Sequence, residues 1–171
     1  YLRRYADGGD LEPLYREFRA WDDWCADVYD SHTAYPMLIW FRSRQAGRSW
    51  SLGLAIVLEA ASYVLAVVDQ PKHHEAQSLY RRAVMMLDTV RNHEHVKLPE
   101  LPPVDPALVR EQFREVYDTL VALGLPVRPF EESLERERAL RADYLPVLYG
   151  LSKALLVPLE FRPNVRPIPV S

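Results

Sequence analysis

At 171 residues the chain has the length of one domain, enough to bury a substantial apolar core. Hydrophobic residues make up 49% and charged residues 26%, which excludes global disorder. With 21 basic and 24 acidic side chains the formal charge is −3. No whole-surface attraction then draws it to nucleic acid or anionic lipid, and no nucleic-acid partner is expected.

The first residues, Tyr1-Leu2-Arg3-Arg4-Tyr5, do not look like a secretory signal. Opening on Tyr rather than Met, the chain reads as a piece of a longer polypeptide. Apolar positions at Leu11, Leu14, Tyr15, Phe18, Trp21, Cys25, Val28 and Tyr29 then fall at i, i+3, i+4 spacing and predict a helix over about 11–29. Asp10 can accept from the free N–H groups of its first turn, where Pro13 costs little. Cys25 is the single cysteine. It excludes an intramolecular disulfide and a multi-cysteine zinc site, suits a reducing compartment, and reads as packing.

Pro36 opens a short apolar piece, Met37 to Phe41. A basic loop, Arg42 to Arg48, follows, and Ser49 is a candidate N-cap. The segment 50–68 is apolar nearly all round and close to the length of a membrane span. Glu59 at its middle, Ser51 and Ser62, and the amphipathic neighbours favour the central helix of a bundle instead. A helix over about 72–92 carries the stripe Ala76, Leu79, Tyr80, Ala83, Met86, Leu87 and Val90. Pro99, Pro102, Pro103 and Pro106 make 98–106 a stiff, extended connector.

Asp105-Pro106 is a helix start, and Gly124 with Pro126 a helix stop. The last helix begins near Phe130. Its first half is charged on most sides, and Glu132/Arg136 and Glu137/Arg141 read as i,i+4 pairs on a solvated face. Pro146 is expected to kink or split it. From Val157 on, four prolines and no periodicity predict an irregular tail. The expectation is one all-α domain of five or six helices, with 1–97 holding the first helices, 98–106 the connector, 107–156 the last helices and 157–171 the tail.

The chemistry-bearing residues are few. There is no glycine-rich phosphate loop, no Gly-x-Ser-x-Gly and no His-Glu-x-x-His, so neither a cofactor nor a catalytic metal is expected. His73-His74 and the pair His93/His95 have the wrong helical spacing for a preorganised metal site. Asp23, Asp27 and Asp30 share a face that reads as solvated. Arg42, Arg44 and Arg48, just ahead of a helix N-terminus, are the best candidate small-anion or headgroup site. Glu59 is the most informative residue: inside an apolar helix it must be paired, hydrogen-bonded or protonated. His32, Arg42 and Arg44 in the preceding segment are its candidate partners. It reads as a structural ion pair or, more sharply, as a sensor that loosens the bundle on protonation or ligand binding.

The stretch Asp30-Ser31-His32-Thr33-Ala34-Tyr35-Pro36-Met37-Leu38, then Phe41-Arg42-Ser43 and Ser49-Trp50, resembles a segment of bacterial potassium-channel-like membrane proteins of the pore-loop type. Those proteins look like a pore-forming membrane part followed by a soluble helical C-terminal region. Glu59 matches an acidic residue on their next apolar helix. The likeness covers about 24–65 and departs in the loop, where Arg44 replaces Gln. No pore filter is present. The resemblance implies a non-enzymatic cytosolic regulatory or assembly domain, on the cytoplasmic side of a bacterial cell membrane. Its partners would be the membrane-embedded part of the same protein and other copies of itself, and its site residues His32, Arg42, Ser43, Arg44, Arg48 and Glu59. The alternative from another class is a stand-alone helical small-molecule-binding protein or enzyme using a His32/Asp30/Glu59 cluster.

Overall fold

The structure, a computed structural model, describes residues 10–35, 37–38, 50–70, 73–93 and 98–155. Among them are five helices and no strand: α1 (Glu12–Ala34), α2 (Trp50–Val67), α3 (His74–His93), α4 (Pro106–Ala122) and α5 (Phe130–Ala154). The expected all-α bundle is therefore what the chain forms, with five helices in this part of it.

Helix α2 lies at the centre, packed against α1, α3 and α5. Leu54, Val57, Leu58, Ala61, Val64 and Val67 on it are fully buried. That explains its nearly continuous apolar character: three neighbours cover most of its circumference, so most positions must tolerate burial. It is the one helix among the described residues long and apolar enough to cross a membrane. Packing in the bundle accounts for that composition.

Local signals act where the sequence places them. Asp10 Oδ1 accepts from the Glu12 N–H at 2.9 Å, and Pro13 sits in the first turn of α1. Asp105 caps α4 by accepting from Ala107 N at 2.9 Å, with Pro106 behind it. At the other end Gly124 takes φ +75°, the left-handed conformation that glycine adopts without a Cβ clash. Gly124 N then donates to Val121 O and Leu125 N to Leu120 O, two crossed bonds that satisfy the last carbonyls of the helix. Leu120 and Leu125 are both buried beneath the turn.

Residues 98–105 are non-helical and largely exposed, as a proline-rich connector should be. The expected break at Pro146 does not split α5, which continues to Ala154. Proline removes the bond to the carbonyl of residue 142, and Ala142 is exposed, so water can serve that carbonyl instead. The tail from 156 lies outside the described residues.

The end of α2 is tied to the α4–α5 turn. Val68 and Val127 form a single antiparallel bridge, with Asp69 N donating to Pro126 O and Arg128 N to Val67 O, each at 2.8 Å. The Arg128 guanidinium, 15% exposed, donates to the Val68 carbonyl and closes the C-terminus of α2, where positive charge is favoured. This junction makes α5 run back antiparallel along α2, which sets the register of everything between them.

Candidate functional site

The antiparallel register carries residues 137–144 of α5 to the middle of α2, opposite Glu59. Arg141 Nε stands 3.1 Å from Glu59 Oε1 and 3.3 Å from Glu137 Oε1. Tyr144 donates its hydroxyl to Glu59 Oε1 at 3.1 Å, and the Tyr63 hydroxyl bonds the same carboxylate. Ser62 Oγ donates to the Leu58 carbonyl at 2.7 Å and lies 3.3 Å from the Tyr144 hydroxyl. Glu59 and Arg141 side chains are each 18% exposed; Glu137 is 2% exposed.

The electrostatics follow from burial. Loss of solvent raises the Glu59 carboxyl, opposed by Arg141 and the two tyrosines. Glu137 is raised to about 7, again by burial first, with Arg141 pulling down and Glu59 pushing up. Burial raises Tyr144 and Tyr63 as well, and both stay neutral donors. The arrangement can therefore hold one negative charge firmly, and a second carboxyl only when it is protonated.

Glu59 is thus paired, but by a cation from the far end of the chain. The expectation of a partner from the preceding segment is corrected for His32. His32 Nδ1 bonds the Val28 carbonyl at 2.8 Å, and its ring packs edge-on against Trp50, centroids 5.4 Å apart. Glu59 lies nine residues beyond Trp50, about 13 Å along the helix axis. Asp30 is exposed. A His32/Asp30/Glu59 cluster is accordingly not assembled. Arg42, Ser43, Arg44 and Arg48, with the Ser49 cap, lie outside the described residues.

The reading of Glu137/Arg141 as a solvated pair is also overturned. Leu134, Glu137, Arg141, Tyr144, Leu148 and Leu151 fall at i, i+3, i+7, i+10, i+14 and i+17, a single inward stripe. The two charges occupy stripe positions, and the spacing carried that signal. By contrast Glu132/Arg136, an exposed pair at 2.9 Å, is as expected.

Two other polar centres are structural. His73 Nε2 donates to Val68 O at 3.1 Å, so its Nδ1 accepts from the Tyr15 hydroxyl at 2.8 Å. Burial lowers both His73 and His32 from the usual imidazole value. His74 is exposed. Cys25 is buried and its thiol is pushed up to about 12, so it packs rather than reacts. Among the described residues no group of three or more His, Cys, Asp or Glu could hold a metal ion. No family model, characterised protein or solved structure matches the chain.

Proposed function

We propose that this chain is a non-enzymatic regulatory and assembly domain on the cytoplasmic side of a bacterial ion-channel-like membrane protein, working through helix packing. The observation that carries the reading is the residue pattern from Asp30 to Trp50, completed by Glu59 on α2. The geometry adds a route for coupling. The segment carrying the pattern leads directly into α2, and Glu59 ties α2 to α5 through Arg141. A pull on that segment would be felt at an interface where charge, not only shape, sets the fit. Its partners are the membrane-embedded part of the same protein and further copies of the chain.

The test is the reading frame that encodes the chain. Membrane-spanning segments ahead of Tyr1, and potassium conduction by the full protein that changes with Arg141→Met, are expected. A frame without any such segment overturns the reading. For the assembly role, light scattering of the chain should show concentration-dependent association; a monomer at every concentration removes that role.

A further inference from the structure

We propose that Glu59 and Glu137 hold one proton between them across the α2–α5 interface, so that this joint tightens when the proton is bound and loosens when it leaves. The inference goes beyond the membrane-protein reading and does not depend on it.

Two carboxylates meet one guanidinium, with Arg141 Nε 3.1 Å from one acid and 3.3 Å from the other. With both acids ionised, the group carries one uncompensated negative charge inside the bundle. Holding such a charge away from water is far costlier than keeping a proton.

The two acids are unequally served. Both pair with Arg141, but only Glu59 also receives the hydroxyls of Tyr144 and Tyr63. Glu137 Oε1 is buried and accepts no hydrogen bond. An ionised oxygen at that depth demands donors; a protonated carboxyl does not. Charge therefore resides on Glu59 and the proton on Glu137. No cavity is required, because a proton is a cation that takes no room. As pH rises the proton passes from Glu137 to water, two like charges face each other, and α5 is pushed from α2.

Among the described residues no cation besides Arg141 forms an ion pair with either acid. Tyr63 on α2 and Tyr144 on α5 are neutral donors, and Arg138, the next residue on α5, favours the ionised form of Glu137 but less than burial opposes it. From α3, Tyr80 packs its ring on Tyr144 and spends its hydroxyl on the Leu140 carbonyl and Asp143. From α4, the ring of Phe113 meets Tyr63. The α1 charges Arg19 and Asp22 are paired with Glu75 and Arg82 on α3.

The sign is fixed by the direction of the shift. Glu137 is raised from 4.5 to about 7, so the folded chain binds the proton more strongly than the unfolded one. This stabilisation is complete below pH 4.5 and is lost as pH rises through about 7. His32 and His73, both lowered by burial, act oppositely: their contribution is lost as pH falls below 6.5. The experiment must therefore isolate the acid pair.

Thermal unfolding of the chain and of Glu137→Gln between pH 5 and 8 does so, because the histidine contributions are common to both. Glutamine imitates the protonated acid. The melting temperature of Glu137→Gln relative to the parent should climb steadily from pH 5 to pH 8. A difference that stays constant across that range overturns the proposal. Carboxyl carbon NMR of the parent chain reads the same proton without any variant. One glutamate titrating with a midpoint near 7 is expected; every glutamate titrating below pH 5 overturns it.

Discussion

Between α1 and α3, charge lies outside the seam. Leu14, Phe18 and Cys25 pack against Leu79, Ala83 and their neighbours in one continuous core. Arg19 reaches Glu75 across the rim, and Asp22 takes Arg82 and Ser78 there. Between α2 and α5 the order is reversed. Glu137 is more deeply buried than many of the leucines, Arg141 sits on the same inward face as Leu148, and Glu59 on that of buried Tyr63, one turn along α2. Water reaches Arg19 and Arg82, 47% and 39% exposed, and takes over there when a partner is lost, although Asp22 is as buried as Glu59. In the second set Glu137, 2% exposed, has no solvent to replace a missing partner, so it depends on its neighbours being present. The same pairing chemistry gives a forgiving seam in one place and a demanding one in the other.

The largest expected effect lies in the buried seam. Arg141→Met leaves Glu59 and Glu137 without a cation and should destabilise the chain by about 3–5 kcal/mol in urea unfolding at pH 8. The loss should shrink at pH 5, where protons replace the guanidinium. An unchanged midpoint at both pH values would show that the seam is held by packing alone.

Arg128→Met comes next. It removes the guanidinium that closes α2 at the Val68 carbonyl, for an expected loss of about 1–3 kcal/mol. Hydrogen exchange should localise the change to the last turn of α2 and to the Val68–Val127 junction. Exchange that rises evenly over the molecule would contradict the capping role.

In the α1–α3 seam, Tyr15→Phe strips one hydrogen bond from His73 and keeps the ring, so about 1 kcal/mol should be lost. The His73 imidazole, with its Nδ1 then unpaired, should titrate at a different pH in proton NMR. Arg19→Gln should have the smallest effect, indistinguishable from the parent in denaturant midpoint, and smaller still in high salt. If Arg19→Gln destabilised as much as Arg141→Met, the contrast between the seams would be lost.

Much of the fold was legible because helix punctuation is local. Asp105-Pro106, Gly124 and the i, i+3, i+4 stripes each act within one or two turns, and the helices fall where those signals lie. The need for a partner at Glu59 was legible too, since an acid in an apolar helix has few options. Its partner was not, because it depends on the register between helices. That register is set at the Val68–Val127 junction and by Arg128, which bring residue 141 to residue 59. Glu137 and Arg141 depart from the solvated pair their spacing suggests for a related reason. Their i,i+4 spacing suits a solvated pair as well as an inward stripe, and only the flanking Leu134, Tyr144 and Leu148 separate the two. His32 fits neither pattern: its Nδ1 returns to its own helix at Val28.

The pairing of Glu59 with Arg141 across α2 and α5 is tested most directly by a double-mutant cycle at pH 8. Unfolding free energies would be measured for the parent, Glu59→Gln, Arg141→Met and the double variant. Groups that depend on each other should couple by more than about 1 kcal/mol, the double variant losing less than its two single changes together. Losses that add to within about 0.5 kcal/mol would mean the two residues are independent, and the buried catch between α2 and α5 would not exist.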